Sequence, residues 1–258
     1  MTTEDLGRLR KAEERLAKLP KAWVAKRQEV SEDLFVIWLR TEVPVPFKAG
    51  QYITIGKGGI ERPYSIASAP YEKLIELFIE YVLPEFGGKL TPILWEMHVG
   101  EHVSMRPKAK GIFTFQPQYH NHVMVGTVTG VAPFVSILRQ SERDGVRGHR
   151  FFVMEGASHQ DEFVYDTELE RLAAEHPGKI TYIMTVSRPN AERNQSWAGP
   201  TGRVNTLVEE YLAKWSLPKD DTVVYLCGNP GMIEDVRQRL EPDGWNLLEE
   251  RFWKEEDE

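Results

Sequence analysis

The sequence predicts two domains in series, an antiparallel β-barrel over residues 21–118 and an α/β domain built on a parallel sheet over residues 119–258, behind a helical extension at residues 1–20. Three observations carry this. From residue 23 to about 115, short apolar and β-branched runs alternate with turns and are interrupted by only one helical stretch, the pattern of a small barrel that closes its own edges. From residue 122 onward, strand-like runs alternate with helical ones, which implies parallel, mostly buried strands. The charge changes at the same place: residues 21–118 carry twelve basic and eleven acidic side chains, whereas residues 119–258 carry fifteen and twenty-four.

Composition narrows the class. A chain of 258 residues with 41% hydrophobic side chains can fill two cores. No apolar run approaches the roughly 18 residues of a membrane helix and the N-terminus has no signal-like apolar core, so the expectation is a soluble cytoplasmic protein without membrane insertion. One cysteine excludes an intramolecular disulfide and an iron–sulfur cluster held by four cysteines of this chain. A pI near 5.6 argues against nucleic acid. An acidic protein partner is repelled least by residues 21–118, though ordinary surface charge gives the same imbalance. Nothing demands a subunit interface, so a monomer is expected.

In chain order, residues 4–19 set Leu6, Leu9, Ala12, Leu16 and Leu19 on one helical face. This helix can dock on the body, cover a partner site or fray, and Pro20 ends it. Strands are expected at 23–30, 34–41, 51–55, 62–68, 74–83, 102–105 and 112–115. The intervening helix spans 91–97, with Thr91 as its N-cap and Pro92 at its first position. The second half places strands at 122–128, 150–155, 179–186, 222–227 and 245–252, with helices at 133–143, 162–175, 204–214 and 231–240.

The chemistry concentrates at a few points. On a strand, Arg62 and Tyr64 share one face, Pro63 and Ser65 the other. An arginine fork matches a diphosphate and a tyrosine ring can lie on an isoalloxazine, so the run suits a flavin nucleotide; a solvent-facing strand with one packed tyrosine is the plainer alternative. Gly87, Gly88, Lys89, Leu90 and Thr91 form a turn into a helix start, either an anion site or only a turn. Gly126, Thr127, Val128, Thr129 and Gly130 make a tight turn at a strand's carboxyl end, able to cradle a second diphosphate. At Ser187 and Arg188 the next signal falls: arginine there suits a 2′-phosphate where an acidic residue would take the ribose of NAD, which favours NADP. Arg193 and Arg203 either complete that phosphate cage or are solvated loop residues. Cys227, at another strand end, is by itself a small buried hydrophobe.

Several constellations are missing: Gly-x-Ser-x-Gly, a Gly-Lys-Ser/Thr phosphate loop, His-Glu-x-x-His and Tyr-x-x-x-Lys. The pairs His98/His102 and His120/His122 lack a third ligand of convincing spacing, so no metal site is expected.

Taken together, Arg62-Pro63-Tyr64-Ser65 with Ile66-Ala67-Ser68, the Gly87–Thr91 turn, the Gly126–Pro133 turn, Ser187-Arg188 and Cys227-Gly228-Asn229-Pro230-Gly231 resemble, in order over residues 23–253, the FAD-dependent ferredoxin reductase superfamily, and within it the bacterial type of ferredoxin (flavodoxin)–NADP reductase. The resemblance implies FAD held by Arg62, Pro63, Tyr64, Ser65, Glu80, Tyr81, Val82 and residues 87–91. It implies NADP(H) on Gly126, Thr127, Thr129, Gly130, Ser187, Arg188, Arg193, Arg203, Cys227, Gly228, Asn229 and Pro230. Ser65 is implied to hydrogen-bond near flavin N5, and Cys227 to pack beside the nicotinamide. Glu250 is a weaker candidate for proton exchange, or an exposed carboxylate. Trp253 covers the flavin or its adenine, or simply ends a strand. Val128 stands where many members carry glycine. The implied activity passes electrons between NADP(H) and ferredoxin or flavodoxin through FAD; the alternatives are a superfamily reductase serving an oxygenase or free flavin, and a non-catalytic FAD-binding module.

Overall fold

A computed structural model describes residues 3–251. The chain falls into two compact units, one ending at Thr114 and the other beginning at Phe115, against the 118/119 boundary expected. Phe115 accounts for the difference, because its ring lies 4.9, 5.0 and 6.1 Å from those of His122, His149 and Phe151.

The first unit contains helix α1 (Thr3–Leu16), strands β1 (Lys21–Glu29), β2 (Leu34–Thr41), β3 (Tyr52–Lys57), β4 (Ile60–Ser65) and β5 (Ile75–Glu80), the short helix α2 (Thr91–Trp95), and β6 (His102–Met105). Every pairing is antiparallel, in the order β4-β3-β6-β1-β2-β5. The two ends of that order meet where the chain leaves β4. There the Ala67 N–H donates to the Glu76 carbonyl at 2.9 Å and the Glu76 N–H to the Ser68 hydroxyl at 3.0 Å, so the sheet curls into the expected barrel. Alternate residues fill it: Phe35, Ile37 and Leu39 from β2 meet Ile53 and Ile55 from β3 and Leu77 from β5. Pro63, with no N–H to contribute to a ladder, sits in β4 at the end of the order. Helix α1 docks on this barrel. Leu16 is buried beside Gly56, and Arg15 pairs with Glu61 at 3.2 Å.

Two expectations fail in this unit. Residues 112–115 form no strand: after the Tyr52–Lys110 bridge, Ile112 turns out to solvent and the Thr114 N–H folds back on its carbonyl at 2.8 Å. Thr91 does not cap α2. Leu90 holds that position, and the Thr91 hydroxyl instead accepts from the Val82 N–H at 3.0 Å and donates to the Val82 carbonyl at 3.3 Å.

The second unit runs β7 (Asn121–Thr127), α3 (Ala132–Arg143), β8 (Arg150–Ala157), α4 (Asp166–Glu175), β9 (Ile180–Val186), α5 (Val204–Trp215), β10 (Thr222–Cys227), α6 (Pro230–Leu240) and β11 (Asn246–Glu250). Its strands are parallel in the order β11-β10-β7-β8-β9. The chain steps outward from β7 to β9, then returns to the other side of β7. Right-handed crossovers therefore put α3 and α4 on one face and α5 and α6 on the other. Val208, Leu212, Ile233 and Val236 of α5 and α6 pack with Val123, Val125 and Leu226 of the sheet.

Helix α4 begins at Asp166 rather than at residue 162, because residues 160–162 form a separate 3₁₀ turn and Phe163, at ψ 86°, breaks from helical geometry. The last strand is shorter than the 245–252 expected. Phe252, Trp253 and the charged tail lie outside the described residues.

Candidate functional site

In the first unit the candidate residues gather on β4 and on the segment after β5. Arg62, Pro63, Tyr64 and Ser65 lie opposite Ile55, Thr54, Ile53 and Tyr52 of β3. Arg62 is exposed and makes no ion pair among the described residues; its Nη1 donates to the Glu61 carbonyl at 2.8 Å, leaving the rest of the fork available. Tyr64 packs half-buried on the barrel core, where burial pushes its phenol well above the ordinary value and keeps the ring neutral. Ser65 is buried. Glu80 ends β5 on the surface, and the Tyr81 ring lies 5.3 Å from that of Trp95.

The Gly87–Thr91 turn is clamped to Val82. Besides the two Thr91 bonds, Gly88 comes so close that a Cβ on it would stand 1.8 Å from the Val82 oxygen. The N–H groups of Gly87 and Gly88 are taken by the carbonyls of Pro84 and Leu83, both at 3.1 Å, so these two amides are not the anion donors that the turn suggested. Lys89 reaches solvent, while Leu90 enters the core.

In the second unit the candidates meet where the strand order reverses, between the carboxyl ends of β7 and β10. Ligands on open α/β sheets bind in that crevice. Gly126 lies in register with Cys227. The Thr127 hydroxyl accepts from the Asn229 N–H at 2.7 Å, joining the two loops. Gly228 makes the approach possible: its φ is +117°, and a Cβ would fall 2.2 Å from Thr127 Oγ1. The Asn229 side chain then caps α6 by accepting from the Met232 N–H at 3.1 Å, with Pro230 opening the helix. Residues 128–131, including Thr129 and Gly130, form a 3₁₀ turn into α3. Val128 holds φ +46°, a strained angle for a β-branched residue and one that glycine adopts freely.

Cys227 is fully buried and in register with Glu250 of β11. Burial, and then the nearby Glu250 carboxylate, hold the thiol well above its usual pKa, so it is a neutral packing group rather than a nucleophile. Glu250 is itself buried, not the exposed terminal carboxylate left open as an alternative.

Ser187 follows β9, its N–H donating to the Ala157 carbonyl at 2.9 Å. Arg188 and Arg203 are exposed and make no side-chain ion pair among the described residues. Arg193 differs. Its fork closes on Asp161, with Nη2 at 2.8 and 2.9 Å and Nε at 3.2 and 3.1 Å from the two oxygens.

Sequence reasoning missed Asp161, Asn194 and Glu155. Asn194 is buried between loops, donating to the carbonyls of Ser158 at 2.9 Å and Arg188 at 2.8 Å. Glu155 is fully buried on β8; Tyr182 donates to its Oε2 at 2.5 Å, Oε1 has no partner among the described residues, and burial pushes its carboxyl up to about 8. A glutamate closing the apolar run Phe151-Phe152-Val153-Met154 was the available signal.

The amino end of this sheet carries other features. His122 and His149 approach to 3.2 Å, and burial followed by His149 pushes His122 down to about 3. A cavity of about 620 Å³ opens nearby beside Arg147, His149 and Lys179, at the end opposite the crevice. Glu142, Glu175 and His176 can bring ligand atoms within 4.8 Å of one another, but Arg171 already pairs with both carboxylates.

Known proteins resemble this chain in sequence and in fold. Residues 124–238 match the family described as oxidoreductase NAD-binding domain. The flavodoxin/ferredoxin–NADP reductase of Escherichia coli is 30% identical over 224 residues, covering 83% of this chain and 86% of that one. The reductase component of the Pseudomonas putida naphthalene 1,2-dioxygenase system is 30% identical over 225 residues, 84% of this chain and 63% of its own. In fold, a Neisseria gonorrhoeae ferredoxin NADP+ reductase, solved with FAD and NADP bound, superposes with a TM-score of 0.77 at 22% identity over 92% of this chain and 99% of that one. With 30% identity to the Escherichia coli reductase over 83% of its length, this chain belongs to the ferredoxin–NADP reductase family of oxidoreductases.

Proposed function

We propose that the protein is a cytoplasmic, monomeric flavoprotein reductase that carries electrons between NADP(H) and ferredoxin or flavodoxin by way of FAD. The observation that carries the reading is the Thr127–Asn229 bond at the strand-order reversal, which joins the Gly126–Gly130 turn to the Cys227–Pro230 turn in one crevice. FAD, when bound, accepts hydride at N5 and can pass electrons one at a time, so it couples a two-electron nicotinamide to a one-electron protein partner.

The chain's own residues bind, orient and exclude water. The FAD site fits on one ground: the Arg62 fork is exposed without a carboxylate partner among the described residues. Arg62 would hold the diphosphate, Tyr64 would flank the isoalloxazine as a neutral ring, and Ser65 would hydrogen-bond near N5. Glu80, Tyr81 and Val82 would line the nucleotide. On the nicotinamide side the neutral Cys227 thiol would supply a dry packing surface, and Glu250 beside it is the candidate for holding a proton. Gly126, Thr127, Thr129 and Gly130 would cradle the NADP diphosphate, and Ser187 with Arg188 and Arg203 the 2′-phosphate. Trp253 is proposed to cover the flavin or its adenine.

The test is an anaerobic titration with NADPH and, separately, NADH, followed in the visible flavin bands. Bleaching by NADPH at far lower concentration than by NADH is expected. A yellow protein that neither nucleotide reduces overturns the reductase reading, and a protein without affinity for FAD overturns the assignment of Arg62 to Ser65. A second reading, a reductase serving an oxygenase, is favoured by the 30% identity to the naphthalene dioxygenase component; turnover with flavodoxin as acceptor favours the first reading, and turnover only with a dioxygenase-type ferredoxin favours the second.

A further inference from the structure

Three arginines stand at the carboxyl ends of β8 and β9, and they are not equivalent. Arg188 and Arg203 project into solvent. Arg193 is held in a two-pronged bond by Asp161, and Glu162 lies 3.9 Å from its Nη2. The loop that follows β8 and the loop that follows β9 are fastened as one piece beneath this pair. Asn194 accepts from the Gln160 N–H at 2.8 Å while donating to the Ser158 and Arg188 carbonyls, and the Gln160 side chain donates to the Arg193 carbonyl at 2.6 Å and to Ser196 Oγ at 2.8 Å. The Ala191 N–H donates to the Arg188 carbonyl at 3.0 Å, so the turn that Arg188 opens leads directly into the 3₁₀ turn Glu192–Asn194 that carries Arg193. Arg203 is brought to the same strand end by the Val186–Thr201 bridge and the Gly202 N–H on the Val186 carbonyl at 2.9 Å. With the two loops tied together, the Arg193 fork is turned to Asp161 and Glu162 on the loop after β8, while its backbone belongs to the segment that carries Arg188.

Asp161 and Arg193 are 49% and 39% exposed. An ion pair so open to water shifts an equilibrium by no more than about fivefold, so a doubly charged phosphate can compete with the carboxylate but must displace it first.

We propose that Asp161 is a specificity-determining residue that holds Arg193 away from the 2′-phosphate of the nucleotide and so sets how strongly this protein prefers NADP(H) over NAD(H). This rests on the reading of the Ser187–Arg188 corner as the 2′-phosphate site. Asp161 touches no substrate and acts through Arg193, which makes it a positioning residue.

The test is calorimetric binding of adenosine 2′,5′-bisphosphate and of adenosine 5′-monophosphate, two probes that differ by the 2′-phosphate, to the FAD-loaded protein. Asp161→Asn is expected to tighten the bisphosphate about three- to fivefold and to leave the monophosphate unchanged. In an Arg193→Gln background the same change is expected to do nothing. In turnover, KM for NADPH should fall by the same factor while kcat and KM for NADH hold. Tightening that persists without Arg193 would reduce the effect to removal of a repelling charge and overturn the proposal, as would no tightening in a wild-type protein that discriminates between the probes. Equal affinity for both probes in wild type and variant would instead sink the 2′-phosphate corner itself, and the role of Asp161 with it.

Discussion

Between pH 6.5 and 8 the second unit should lose between about 1 and 2 kcal/mol of stability through Glu155 alone, and Glu155→Gln should remove that loss. The folded carboxyl, held up at about 8 by burial, keeps its proton where an unfolded glutamic acid near 4.5 has already given it up. The folded state thus binds more protons across that interval. The contribution is full below about 4.5 and disappears as the pH rises through 8. At about 1.4 kcal/mol per pH unit, flattening close to the folded pKa, the 1.5 units from 6.5 to 8 give the stated range. His122, pushed down to about 3, has the opposite sign and fades just above 6.5, offsetting about 0.4 kcal/mol of the loss, and the lowered carboxylates Glu61, Asp221 and Glu234 act below their ordinary values. Cys227, raised well above 9, acts only in stronger alkali. Pulse proteolysis in urea, scored on the fragment from residue 115, reads this directly; the midpoint should fall by roughly 0.5–1 M in wild type. Glu155→Gln is expected to lower overall stability, because its amide N–H groups meet the place where Oε1 has no partner. Its pH profile should nevertheless lose the downward slope across the window. A variant that keeps the wild-type slope refutes the assignment.

The other predictions concern single contacts. Gly228→Ala puts a methyl 2.2 Å from Thr127 Oγ1 at a φ that L-residues rarely adopt, and should cost roughly 2–4 kcal/mol and lower the melting temperature of the second unit by about 5–15 °C; a shift under about 2 °C would show that the two loops part easily. Arg62→Ala should weaken FAD about 10- to 100-fold in fluorescence titration while leaving apoprotein melting unchanged, because among the described residues the exposed side chain bonds only to its neighbour's carbonyl. Equal loss of stability would give Arg62 a structural role instead. Leu16→Ala empties the contact beside Gly56 and should destabilise the first unit by about 2–4 kcal/mol in urea unfolding; an unchanged midpoint would mean that α1 contributes nothing to the barrel.

What the sequence made legible was whatever periodicity or a local string encodes. The β2 run at Leu34–Thr41 and the β10 run at Thr222–Cys227 alternate or saturate with apolar residues, and both strands begin and end where expected. The reversal that creates the crevice follows from strand-helix alternation only once register is known. Thr91 misled because a threonine before proline is a fine cap, yet its hydroxyl found Val82 nine residues earlier. Residues 112–115 misled because three apolar side chains in four look like a strand, whereas they leave one unit and enter the next. Glu162 suggested a helix start, but its oxygens are used by Ser158 and His159. The Asp161–Arg193 fork spans 32 positions and no spacing rule reaches it.

The strand order also governs what a ribosome exposes. β7, β8 and β9 are consecutive and can pair as they emerge, but β7 lies in the middle of the finished sheet and its second edge waits for β10. Gly126 and its register partner Cys227 are about one hundred residues apart, roughly 5–20 s of synthesis at ordinary elongation rates. For that interval an apolar parallel strand, Val123 and Val125 among it, presents open backbone donors and acceptors to whatever is nearby. The nucleotide crevice is therefore among the last parts of the second unit to exist, and a nascent chain stalled before residue 222 carries a sticky half-sheet with no means of binding the ligand that would report its completion.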